Sequence, residues 1–318
     1  MINLLMRRLV SVLLLVLLGV EAGGVVYAQG LEWEKLNAEV VALYQQGNFD
    51  RAIEVAKQAL QVAEQTTGAE SPSVGASLNN LAMLHQAKGQ SAEAEPLYQR
   101  ALAINEKVLG PDHPDVATSL HNLAALYASQ EDFEKAAPIS RRALKIDEAV
   151  LGPDHPRVAT SLHNLARLYQ AQDELDQAES LYKRILRIRE QAFGIAHPSV
   201  AESLDDLGLL HHAQGRYAEA EPLFKRARTI REQAFGANPP AVATSLNNLG
   251  LLYYAQGQYK EAEPLYTKAL EIWRLSMGPD HPHVATTLES LARLYRKTER
   301  EKEAEVTEQQ AEAIRAKP

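Results

Sequence analysis

Along most of the chain, apolar side chains recur at the three- and four-residue spacing of a helix and do not alternate as they would in a strand. Leu120, Leu123, Ala124 and Tyr127 stand at i, i+3, i+4 and i+7, so they share one helical face. Ala94, Leu97, Tyr98, Ala101 and Leu102 repeat that spacing one segment earlier. Pro114 stands where a first helical residue needs no N–H, and Gly89, Gly110, Gly215 and Gly257 stand where helices stop. Pro96, Pro138, Pro222 and Pro264 fall near the first turn of the second helix, where proline is tolerated better than further in. The pattern therefore predicts pairs of helices, A and B, whose apolar stripe a single pair cannot bury alone.

The pair recurs. Leu109-Gly110-Pro111-Asp112-His113-Pro114 is matched by Leu151–Pro156, Phe193–Pro198, Phe235–Pro240 and Met277–Pro282 at a period of 42 residues, with a decayed copy at Thr67–Pro72. Six boundaries delimit seven units, at about 31–66, 72–108, 114–150, 156–192, 198–234, 240–276 and 282–316. Small residues keep the same period. Ala82, Ala124, Ala166, Gly208, Gly250 and Ala292 mark helix A, and Ala52, Ala94, Ala136, Ala178, Ala220, Ala262 and Ala304 mark helix B. These positions let two backbones approach closely, where a larger side chain would overpack. The last helix, from about Arg300 to Ala316, is rich in Glu, Gln, Lys and Arg, as suits an end cap.

Leu123-Ala124-Ala125-Leu126-Tyr127 and Leu165-Ala166-Arg167-Leu168-Tyr169 on helix A, with Ala94, Tyr98 and Ala101 on helix B, resemble the tetratricopeptide repeat family in its 42-residue, kinesin-light-chain-like form. The likeness covers residues 31–316. His85 and His211 depart from it by replacing the tyrosine, Ile185 replaces the third small residue, and unit 31–66 follows the pattern loosely. The resemblance implies an all-α fold, a right-handed α-solenoid of about seven tetratricopeptide-type helix pairs, with helix A lining a concave groove and helix B on the convex side. It also implies a non-catalytic scaffold for other proteins.

At the N-terminus, Arg7 and Arg8 precede the apolar run Leu9–Val20, and Glu21, Ala22, Gly23 and Gly24 lead to Val26-Tyr27-Ala28, which together read as a signal peptide over residues 1–28. The run is too short for about 30 Å of hydrocarbon, so cleavage near Ala28 and a periplasmic or secreted protein are expected, with membrane contact only through the leader before cleavage. The net charge of −8 becomes −9 without that leader, a poor match to phosphate backbones, and no nucleic-acid partner is expected. With no cysteine among 318 residues, disulfides, thiolate metal sites and cysteine nucleophiles are excluded.

No nucleotide-binding, zinc-protease or serine-hydrolase motif occurs, so no enzyme and no cofactor is expected. His113, His155, His197 and His281 sit in the turns between units, each about a helix-packing distance from the next, too far apart to share one metal ion. Asp112, Asp154 and Asp280 beside them read as helix-start caps. Arg141-Arg142, Lys183-Arg184 and Lys225-Arg226 read as a solvated basic pair on helix B, balanced by nearby glutamates. The most informative pattern is a polar ladder on helix A. Asn80, Asn122, Asn164, Asp206 and Asn248 recur every 42 residues, behind Asn79, His121, His163, Asp205 and Asn247. Asparagine is a modest helix former whose amide both donates and accepts, which suits the backbone of an extended peptide; a structural bond between helices is the other reading. Glu202 makes the fifth unit acidic with Asp205 and Asp206, and Arg293 makes the seventh basic with Arg296 and Lys297. The expected partner is an extended peptide segment of another protein; a self-assembling spacer and a metal-dependent enzyme or carrier are the alternatives.

Overall fold

The computed structural model describes residues 24–317. The apolar run of the predicted leader lies outside them. The described residues are all-helical and divide into two compact units between Pro111 and Asp112.

The first unit holds α1 (Gly24–Gln45), α2 (Phe49–Thr67), α3 (Pro72–Ala87) and α4 (Ser91–Leu109). Asn48 and Ser71 start α2 and α3 by accepting the backbone N–H of Arg51 and Val74 on their side chains. Val40, Ala52, Val55, Leu81 and Leu84 form one buried cluster, and Ala63, Val74, Leu78 and Ala101 form a second. Trp33 on α1 donates its indole N–H to the buried Ser77 Oγ on α3 at 2.8 Å.

The second unit holds five pairs: α5 (Pro114–Ser129) with α6 (Phe133–Leu151), α7 (Val158–Ala171) with α8 (Leu175–Phe193), α9 (Pro198–Ala213) with α10 (Tyr217–Phe235), α11 (Pro240–Ala255) with α12 (Tyr259–Met277), and α13 (Pro282–Lys297) with α14 (Glu301–Arg315). Each helix B before α14 packs on its own helix A and on the next one, so apolar residues from three helices close these layers. One such layer joins Ala220 and Phe224 of α10 to Leu249 and Leu252 of α11. The small positions do what their period implies: an added Cβ at Gly208 would lie 2.6 Å from the Phe224 ring, and one at Gly250 would lie 2.7 Å from the Tyr266 ring.

Two local expectations need correction. The side chains that start α5, α9 and α13 are His113, His197 and His281, whose Nδ1 atoms accept backbone N–H groups at 3.2 Å; His155 accepts Arg157 N–H in the same way at 3.1 Å. Asp112, Asp154 and Asp280 do not cap these helices; Asp154 faces Arg187 at 3.5 Å and Asp280 faces Lys317 at 2.7 Å. The prolines at 96, 138, 222 and 264 are each the sixth residue of their helix, past the first turn. They lie on the exposed side, where water takes up the carbonyl that a proline leaves unbonded.

The turns from helix A to helix B need a left-handed residue. Gly215 and Gly257 supply it at φ 72° and 74°, but Glu131, Asp173 and Glu299 adopt it at φ 60–62°.

Candidate functional site

Four helices A of the second unit, α5, α7, α9 and α11, carry the polar ladder, whose first member Asn80 lies on α3 of the first unit, and its two positions have different fates. The first position faces helix B. His121 Nε2 lies 2.7 Å from Asp147 Oδ2 on α6 and 3.2 Å from Ser161 Oγ on α7, while Ser161 donates to the same Asp147 oxygen at 2.5 Å. Desolvation works to raise the Asp147 carboxyl, but the bonds from His121 and Ser161 outweigh it and hold the group below its ordinary range. One repeat on, Arg189 of α8 donates to Ser199 O at 2.9 Å and to Ser203 Oγ at 3.0 Å. One further, Arg231 of α10 is buried and bonds Asp205 Oδ2 at 2.5 Å and Ser245 Oγ at 2.6 Å. Burial pushes the Asp205 carboxyl up, with the Arg231 guanidinium opposing.

Asp147, Arg189 and Arg231 are therefore a second ladder, on helix B, which the sequence reading missed. A signal was present: Ser77, Ser119, Ser161, Ser203 and Ser245, followed by Thr287, keep the 42-residue period and are all buried. Ser77, Ser119, Ser203 and Thr287 donate to the carbonyl four residues earlier in their own helix, which leaves the hydroxyl oxygen free to accept from a facing helix.

These contacts sort the candidate groove residues. Asp205 is closed off under Arg231, so the acidity assigned to it does not reach solvent. Asp206 lies 3.2 Å from His163 Nε2, which joins α9 to α7. Asn248 donates to Asp205, joining α11 to α9. In the first unit, Asn80 donates to Asn37 Oδ1 at 2.8 Å. Asn247 is half-buried, with an Oδ1 that accepts no bond among the described residues. Arg293 is exposed and donates to Ser290 Oγ and Glu289 O, both at 3.3 Å. Asn122 and Asn164 are different. Each is half-buried, and neither side-chain amide makes a hydrogen bond among the described residues. They are sibling positions on α5 and α7, 42 residues apart.

On helix B, the second residue of the basic pair reaches back to the preceding helix B. Arg184 Nη1 bonds Glu148 Oε1 at 2.5 Å, and Arg226 Nη2 bonds Glu190 Oε1 at 2.6 Å. The pair reads better as a clamp between repeats than as a free solvated face. Among the described residues no group of three or more His, Asp and Glu side chains is placed to hold a metal ion. No described helix is long and apolar enough to cross a membrane.

Comparison with known proteins agrees with this geometry. The family model described as tetratricopeptide repeat matches residues 36–107, 73–149, 130–191, 164–233 and 241–317. No curated protein matches the chain. Among solved structures, the nearly identical TPR-like repeats of a putative kinesin light chain from Podosopora anserina are 29% identical, with 64% of this chain and 97% of that chain covered and a TM-score of 0.59. BtubC (BKLC) from P. vanneervenii is 24% identical over 72% of this chain and 91% of its own, with a TM-score of 0.58. A Rap protein complexed with Competence and Sporulation Factor is 16% identical over 90% of this chain and 75% of its own, with a TM-score of 0.57. The last two likenesses carry the fold alone. Such solenoids of helix pairs generally mediate protein–protein interaction and are generally non-catalytic. With the family model matched along most of its length, the chain belongs to the tetratricopeptide repeat family.

Proposed function

We propose that the protein is an exported scaffold that binds an extended peptide segment of another protein along the helix A face of its second unit. The uncommitted amides of Asn122 and Asn164 carry this reading. A half-buried amide that the protein leaves unbonded has a donor and an acceptor to offer a ligand backbone. Neighbouring helices A sit roughly 10 Å apart, and an extended chain rises about 3.4 Å per residue, so the two amides bracket about three residues of ligand. Side-chain identity matters little to such contacts, and selectivity falls to exposed neighbours such as Glu202 and Arg293. Export, from the leader at residues 1–28, is part of the same proposal.

The test uses unstructured 12-residue peptides selected from a displayed library on the full chain. The double variant Asn122→Ala and Asn164→Ala keeps its helicity, because alanine is the better helix former. Losing two backbone bonds at about 0.5–1.5 kcal/mol each weakens the selected peptides by roughly 5- to 150-fold. Equal binding by the double variant refutes the proposal.

A further inference from the structure

The turns that lead from helix B to the next helix A share one edge of the second unit, and two adjacent turns differ from the others. Where the flanking turns read Leu151-Gly152-Pro153-Asp154 and Met277-Gly278-Pro279-Asp280, the middle two read Phe193-Gly194-Ile195-Ala196 and Phe235-Gly236-Ala237-Asn238. The acid is gone from both, and each begins with phenylalanine. Their side chains stand in solvent: Phe193 is 47% exposed, Ile195 69% and Phe235 52%. Val150 precedes them and Leu275 and Met277 follow, all exposed on the same edge by the register of the repeat. Spread over four successive turns, the six together expose on the order of 700 Å² of apolar surface along this edge, near the ~800 Å² each partner gives to a standard interface.

The edge is also stiff and electrically quiet. Phe193 stacks on His197 with ring centres 4.8 Å apart, and Arg226 holds its turn by donating to Ile195 O at 3.3 Å. The acids that flank the patch are already paired, Asp154 with Arg187 and Asp280 with Lys317. The basic groups at this edge are committed as well, Arg187 to Asp154, Arg226 to Glu190, Lys317 to Asp280 and Arg274 to Gln310, which favours a protein partner over an anionic membrane.

We infer that this edge is a dimer interface whose partner is a second copy of the chain. A two-fold axis between the two middle turns sets the Phe193 turn of one protomer against the Phe235 turn of the other, and their near-identity makes the patch complementary to itself. Two aromatic anchors lie at the centre and pre-paired charges at the rim, the anatomy of a stable interface.

The purified full chain is measured by sedimentation across concentration. It dimerises in the micromolar range. Ile195→Arg raises the dissociation constant by at least about 100-fold, while Val306→Arg, an exposed apolar position on α14 away from this edge, leaves it unchanged. Because the chain has no cysteine, single labels are clean: Ile195→Cys mixed with Ala237→Cys forms a disulfide faster than either variant alone. A chain that stays monomeric to about 100 µM, or a dimer indifferent to Ile195→Arg, overturns the inference. So does a monomer that binds phosphatidylcholine vesicles through Ile195, which would assign the edge to a lipid surface.

Discussion

Replacing His211 with tyrosine is the sharpest probe of the packing described above. Tyr127, Tyr169, Tyr253 and Tyr295 occupy the sibling positions, but α9 carries histidine there. The imidazole is 3% exposed, its Nδ1 accepts no bond, and the nearest carboxylate, Glu219, is 4.0 Å away. One repeat on, Tyr253 donates to Glu221 at 3.1 Å, and Glu179 is the sibling of that acceptor, so a tyrosine at 211 finds its partner in place. Relieving a buried unsatisfied nitrogen is worth about 1–3 kcal/mol and a new hydrogen bond about 0.5–1.5 kcal/mol. Crowding from the larger ring costs about 1–3 kcal/mol. The net expectation is a gain of roughly 1 kcal/mol, or about 2–4 °C in Tm by calorimetry. The sign with pH is a second check. Desolvation and Arg216 hold His211 below its ordinary value of 6.5, against the pull of Glu179 and Glu219. The folded state therefore takes up a proton less readily than the unfolded chain, and wild-type stability from this group falls as pH drops through 6.5 towards the lower folded value. Tyrosine removes that loss, so the gain in Tm is larger at pH 5 than at pH 8. A variant that is no more stable, or whose advantage does not change with pH, refutes the assignment of His211 as a buried, neutral, underbonded side chain.

Two further substitutions test the polar ladder and the turns. Arg231→Ala leaves Asp205 buried without its partner and should cost about 3–5 kcal/mol in urea unfolding, much of it recovered by adding Asp205→Leu; a loss under 1 kcal/mol would show that the pair is solvated. Asp173→Gly removes a left-handed strain at φ 62° and should raise stability by about 0.5–1 kcal/mol; no gain would mean that the aspartate is at ease there.

Much of the fold was legible because a period of 42 residues repeats every structural device several times. Leu123, Ala124 and Tyr127 mark one face, and the Ala or Gly at each sibling of Ala124 marks where another ring or backbone comes close. The caps were not legible. Aspartate is the commoner start signal, yet here the histidine one residue later has the extended backbone that lets its ring nitrogen accept the N–H of the second helical residue, the first after the proline. Nor could spacing along one helix divide the ladder into tied and free members. Asn164 and Asp206 are siblings, and each follows a repeat with a histidine at the facing position, but His121 is taken by Asp147 of α6 while His163 meets Asp206. The helix B ladder is masked in the sequence for a different reason: Asp147, Arg189 and Arg231 share a position but not a chemical type.

That change of chemical type bears on how such a chain avoids tangling with itself. An array of near-identical helices offers each helix several docking sites of similar shape, and repeat proteins misassemble by taking the wrong one. Shape and apolar area hardly discriminate here, but charge does. If α10 docked where α6 belongs, Arg231 would face His121 in place of a carboxylate, and a buried guanidinium would lose its counter-ion at a cost of several kcal/mol. In the reverse exchange Asp147 would stand against Asp205, two acids at short range. In these three pairs one inward-facing polar side chain thus acts as an address label: the apolar stripe says that helices should stack, and the label says which neighbour α6, α8 and α10 belong beside.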